Sequence, residues 1–279
     1  MNTIRTIAWL TFHEAWRRRM VLLALILSVI FLLLYALGFH LIRIDLESEN
    51  TPMLIKNQMG PFLLLAGLYV VHFLAIMLAI FASVDTISGE IATHTIHAIA
   101  IKPLRRWQIL LGKWLGYTAM LSVYILLLSG GIISITYAIS GYVPPNSLQA
   151  MLLLVLEAIV LLSLSLLGGT RLSTLTNGVV LFMIYGLAFI GTWVEQIGSV
   201  LESEAAVRIG IVTSLIMPVE SVWRRAAYLM QPPMLNGTGG FISPFSAFSV
   251  PSPAMVMYAG VYAGVMLLLA MRSFNRRDL

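Results

Sequence analysis

Six long apolar runs divide this chain, separated by shorter polar stretches. They cover Met20–Ile42, Phe62–Val84, Ile109–Ile139, Leu148–Gly169, Asn177–Trp193 and Ala254–Met271. A helix needs about 20 mostly apolar residues to cross the hydrocarbon core of a bilayer. The pattern predicts an all-α, polytopic membrane protein, with six transmembrane helices in one domain over 1–279. The third run is long enough to begin in the interface or to tilt strongly, and the fifth is the shortest.

The first run is too long for a signal-peptide core and begins late in the chain. Arg17-Arg18-Arg19 precedes it, and Ala36-Leu37-Gly38 only weakly imitates a cleavage site. It therefore reads as an anchor that stays. Ahead of it, residues 2–19 predict an interfacial helix. Ile4, Ala8, Trp9, Phe12, Ala15 and Trp16 share one arc, with Thr6, His13, Glu14, Arg17 and Arg18 elsewhere. Such a helix lies in the headgroup layer with its tryptophans at the boundary.

Composition agrees with the spans. Of 279 residues 59% are hydrophobic and 10% charged, against roughly 25% charged in soluble domains. Mean hydropathy is +0.92. The chain has no cysteine, which excludes disulfides, thiolate metal sites and cysteine nucleophiles.

The placement of charge says more than the net +5. Lysine and arginine favour the cytoplasmic side of short loops. Six spans with the N-terminus inside put Arg5, Arg17–Arg19, Lys102, Arg105, Arg106, Lys113, Arg171, Arg272, Arg276 and Arg277 inside. Arg43, Lys56, Arg208, Arg224 and Arg225 fall outside. The majority of cations inside predicts a multi-pass protein of the cell membrane with both termini cytoplasmic.

The polar stretches differ in character. Arg43–Pro61 is a mildly acidic outer loop, Ser140–Ser147 a proline turn, and Arg171–Thr176 a short inner turn. The long stretch 194–253 lies outside by this topology. It carries an apolar run, Ile209–Met217, of about half a crossing. Pro218 and an amphipathic segment with Glu220, Trp223 and Arg224 follow, then a Pro/Gly/Ser-rich loop. A re-entrant or surface-lying helical hairpin is expected there, capping a cavity or an interface.

The cytoplasmic region 85–108 carries the most chemistry. On a helix from Ile87 to Ala100, Ile87, Ile91, Ala92, Thr95, Ala98 and Ile99 cover one side, and Glu90, Thr93, His94 and His97 form a polar stripe on the other. The helix is expected parallel to the membrane. Pro103 resets the backbone, and Arg105, Arg106 and Lys113 suit phosphate headgroups or an acidic partner. Glu90, His94 and His97 have a spacing that can converge on a metal, but lack the two-histidine pair of a zinc-protease helix. A solvated face and a docking surface for a soluble partner are the other readings.

Ser88-Gly89-Glu90, Thr95, Lys102-Pro103-Leu104-Arg105-Arg106 and Leu111-Gly112-Lys113 together resemble membrane subunits of ABC-2-type ABC transporters. The basic N-terminus and six spans extend the resemblance over essentially the whole chain. The segment from Pro218 through Glu220 to Arg225 is similar to one in single-domain permeases of this group, among them the permease of the nitrous oxide reductase maturation system. His94 departs from the small residue usual there. The resemblance implies that 90–100 is a coupling helix seated in a cleft of a separate ATPase subunit. It implies a second permease copy or a related one, a membrane-lipid or extracytoplasmic protein partner, no nucleic acid, and the cytoplasmic membrane of a bacterium. ATP and magnesium would be bound by the partner. This chain has no G-x-x-x-x-G-K-[ST]: before Gly112-Lys113 the glycine position holds Trp107, and Trp114 follows. Neither cofactor nor metal is therefore assigned to it, and no catalytic residue.

Inside the spans, Glu157 is expensive, at roughly 2.5–3.5 kcal/mol for a charged acid at a helix centre. It can bind a cation, sense protons, or be a neutral acid bonded to a neighbouring helix. His72 reads as a satisfied helix contact. Gly112-x-x-x-Gly116 and Gly260-x-x-x-Gly264 allow close helix approach, within the subunit or across a dimer.

These observations predict a permease that couples ATP hydrolysis elsewhere to export, or to work on lipid or an external partner. An ion-coupled transporter using Glu157 would need an inverted repeat or broken helices, and the sequence shows neither. An intramembrane enzyme lacks paired carboxylates, His-Glu-x-x-His or a serine–histidine arrangement in the spans.

Overall fold

The computed structural model describes residues 3–48, 52–92, 105–232, 245 and 249–276. These residues form nine helices: α1 Thr3–Arg17, α2 Arg19–Ser48, α3 Met53–Ala92, α4 Arg106–Ser140, α5 Ser147–Gly169, α6 Thr174–Val200, α7 Glu204–Ile216, α8 Val219–Met230 and α9 Pro253–Asn275. Six of them, α2 to α6 and α9, are long and apolar enough to cross a membrane. Each contains one of the six apolar runs.

The helices outrun those apolar cores because polar residues at their ends still gain backbone hydrogen bonds. The outer loop Arg43–Pro61 shrinks accordingly, since α2 runs to Ser48 and α3 starts at Met53. Pro61 lies inside α3. At the other end, Ile87–Ala92 is not a separate helix lying on the membrane. It continues α3, and Ile87 and Ser88 are buried in the bundle. The 40 residues of α3 make a rod about 60 Å long at 1.5 Å per residue.

Helix α5 is central, packed against α3, α4, α8 and α9. The core around it holds Leu154, Ala158, Leu161 and Leu162 of α5 with Leu68, Val71, Ile76 and Ala79 of α3. Helix α2 is the opposite case: Leu22, Leu23, Ile26, Leu27, Leu33 and Leu34 are exposed, a face suited to lipid.

One end of the bundle gathers both termini. Ser88 of α3 bonds Thr174 of α6 at 2.8 Å, and Thr170 and Arg171 bond Ser273 of α9 at 2.9 and 3.1 Å. Helix α1 lies on α4 at this end. Its seam is Ile4, Ile7, Ala8 and Thr11 over Gly112 and Gly116, where any Cβ would collide with α1. The buried stripe of α1 is thus rotated from the expected arc: Thr11 and Ala15 are buried, while Trp9 is 64% exposed. Gly112-x-x-x-Gly116 is a contact within the chain, whereas Gly260 and Gly264 have open space around them. Lys113 does not reach headgroups. It is buried and donates to the Thr86 carbonyl at 3.1 Å.

Helices α7 and α8 form a pair bent by 108° at Met217-Pro218. Each is about 20 Å long or less. Helix α7 packs tightly on α6, where Gly210 meets the Gly191 carbonyl. Helix α8 is enclosed by α5, α9, α6 and α3, and Met217 and Pro218 at the bend are buried. The segment expected as a surface or re-entrant hairpin therefore enters the bundle.

Candidate functional site

Helix α8 is amphipathic, yet its polar residues point inward. Glu220, Ser221 and Arg224 are all buried. Such groups are stable only with partners, and α3, α5 and α6 supply them. His72, midway along the apolar part of α3, stands between two carboxylates. Its Nδ1 lies 2.9 and 3.0 Å from the Oε1 and Oε2 of Glu157 on α5. Its Nε2 lies 3.2 Å from Oε1 of Glu220. Glu220 sits in the first turn of α8, where the exposed N–H groups of a helix favour negative charge. Tyr185 of α6 lies close to Glu220 as well.

The ring of Trp223 stacks on His72, with centroids 4.8 Å apart and planes at 28°. Tyr69 closes the edge of Trp223 at 5.6 Å, and Phe245 lies 5.5 Å from Tyr69. Stacked aromatic rings are worth about 0.5–1.5 kcal/mol beyond the area they bury. One turn further along α8, Arg224 makes a fork with Glu195 of α6, Nη1 to Oε1 at 2.7 Å and Nη2 to Oε2 at 2.9 Å. The Ser249 hydroxyl donates to the same Glu195 Oε1 at 2.7 Å.

The structure thus joins two sets of residues that the sequence kept apart. His72 and Glu157 of the spans meet Glu220 and Trp223 of the hairpin, with Pro218 one turn away at the bend. Glu195 and Tyr185 were missed. Glu195 falls just past the fifth apolar run and looks like a loop residue, and a tyrosine in a span carries no signal. Among the described residues no group of His, Asp and Glu has the arrangement of a metal site.

The polar stripe at the end of α3 is described only in part. Glu90 lies in the last turn of α3, and Thr93, His94 and His97 lie outside the described residues. Arg105 is exposed just ahead of α4, and its backbone N–H bonds the Gln108 side chain at 3.3 Å. Arg106 opens the helix.

Residues 5–279 match the family described as ABC-2 family transporter protein. No protein of curated function matches the chain. The narrower likeness to the permease of nitrous oxide reductase maturation gains no support, since the match is to the family as a whole. Six helices long and apolar enough to cross a membrane, a buried bent pair and a family match over residues 5–279 lead to one statement: the chain belongs to the ABC-2 family of transporter membrane proteins, as its permease domain.

Proposed function

We infer that this permease works as a lever between an ATPase subunit and the hairpin α7–α8. ABC-2 permeases work with ABC ATPase subunits, and segment 90–104 is where one would dock. The observation that carries the reading is the continuity of α3. The same helix that ends in Glu90-Ile91-Ala92 bears His72, and His72 is bonded to Glu220 of α8. A displacement applied at the Ala92 end reaches the hairpin through about 30 Å of unbroken helix. Rigid elements with two arrangements are how such coupling travels.

In this reading the cation-rich end, with both termini, faces the cytoplasm. Glu90, Thr93, His94 and His97 meet the ATPase, with Arg105 and Arg106 beside them. The hairpin seals the outer half of the subunit. A second permease, of this chain or a related one, completes the transporter, and the bare face of α2 and the open Gly260/Gly264 face of α9 are available to it. Magnesium and ATP belong to the partner. The cargo leaves outward, or the motion does work on an external protein or on lipid.

The test is Glu90→Lys in the assembled transporter. Recovery of the ATPase with the permease falls, and permease-stimulated ATPase activity falls with it. Unchanged assembly and unchanged stimulation would refute the docking role. Glu157→Gln tests the ion-coupled reading: uptake driven by a pH gradient without ATP, and abolished by this change, would favour it.

A further inference from the structure

A cavity of about 540 Å³ opens between α2, α3 and α6 at the cation-rich end of the bundle. Val21, Phe81, Phe182 and Met183 give it apolar walls. Its polar end is formed by Arg18 and Asp85, 3.8 Å apart. Ligand cavities generally span about 300–1,000 Å³, so the space is of ligand size. Its chemistry is that of an amphiphile, greasy along its length and charged at one end.

The charged end is built. Arg18 is held by Glu14 at 3.0 Å, faces Asp85, and lies over the ring of Tyr117 at 6.0 Å. Arg17 and Arg19 flank it and are exposed. Three cations against the carboxylates of Glu14 and Asp85 leave this corner positive. It sits where α1 meets α2.

We propose that this cavity is a binding site for an anionic phospholipid, with an acyl chain between Phe81 and Phe182 and the phosphate on the Arg17–Arg19 cluster. The charge complementarity selects this occupant over a zwitterionic lipid. The apolar walls select it over free phosphate, which would have no use for Phe81, Phe182 and Met183. The lipid lies against the last turns of α3, the helix that continues into 90–104, and so touches the element proposed to carry the ATPase stroke. The site itself depends only on the chain spanning a bilayer, and not on how ATP is coupled.

The experiment uses the full-length chain in nanodiscs containing phosphatidylglycerol or phosphatidylcholine, each carrying a photoreactive diazirine on an acyl chain. With phosphatidylglycerol, cross-links concentrate on peptides bearing Phe81 and on those bearing Phe182 and Met183, and phosphatidylcholine gives far fewer. Arg17→Gln with Arg19→Gln removes two exposed cations, each worth about a five-fold factor at a membrane surface, so the headgroup preference falls on the order of 30-fold. Gly178→Leu fills the cavity and abolishes the cross-links in either lipid. A Cβ at Gly178 would make only an ordinary 3.5 Å contact with Val84, so the backbone accepts the change. Equal labelling by both lipids, labelling spread evenly over α2, α6 and α9, or capture of a second permease chain at Phe81 and Phe182 in place of lipid would each overturn the proposal.

Discussion

At the scale of single residues, the ring of His72 has a carboxylate at each nitrogen. Two hydrogen bonds then require an N–H on both sides of the ring or a proton on one acid. Burial makes this an all-or-nothing arrangement. A buried ion pair gains little over an apolar substitute, but removing one member strands the other at a cost of about 3–5 kcal/mol. Arg224 and Glu195 give the cleaner case, because the other partners of their fork, Ser221 and Ser249, carry no charge. Arg224→Met should lower the unfolding free energy of the purified protein by an amount in that range, seen as a fall in its thermal midpoint. Arg224→Met combined with Glu195→Leu should recover much of the loss, since no lone charge remains. Equal destabilisation by the single and double changes would show that the pair is not the source. None of these pairings was legible in the sequence. Glu157 and Glu220 lie 85 and 148 positions from His72. Hydrophobic periodicity reports which face of a helix is apolar, not which residue of another helix it meets. The sequence marked Glu157 as costly and Glu220 as part of an amphipathic segment, and only packing joined them.

At the scale of elements, helix existence was legible and helix ends were not. The six spans follow from bilayer thickness, which fixes a minimum apolar length. Nothing in that constraint stops a helix at the edge of the apolar run. Glu195 and Gln196 therefore continue α6, and Ile87–Ala92 continue α3. The docking of α1 was half legible: its amphipathic character was clear, but the headgroup layer and α4 compete for its apolar side. Glycines decide the contest, because Gly116 lets the Ala8 carbonyl come within 2.7 Å of where a Cβ would stand. Gly116→Leu should push α1 off α4, seen as faster proteolysis of the N-terminal helix. Gly264→Leu, with open space around it, should leave that rate unchanged. An undisturbed α1 in the first variant would mean that the seam is not set by these glycines.

At the scale of the whole molecule, helix count and charge placement act together. Six crossings bring the termini to one end, and that end collects most of the cations. The absence of cysteine makes orientation directly measurable. A single cysteine at position 105 should react with impermeant reagents only after the cell is opened, and one at position 56 should react in intact cells. The reverse pattern would invert the topology, and with it the site of ATPase docking. The buried bend at Met217-Pro218 has its own consequence. Glu220, two residues past it, reaches His72 and through it Glu157, about halfway along α5, so helix α8 fills the middle of the subunit. Two buried clasps, His72–Glu220 and Arg224–Glu195, hold this short helix to α3 and α6, so α8 cannot shift without moving those spans or breaking a buried pair.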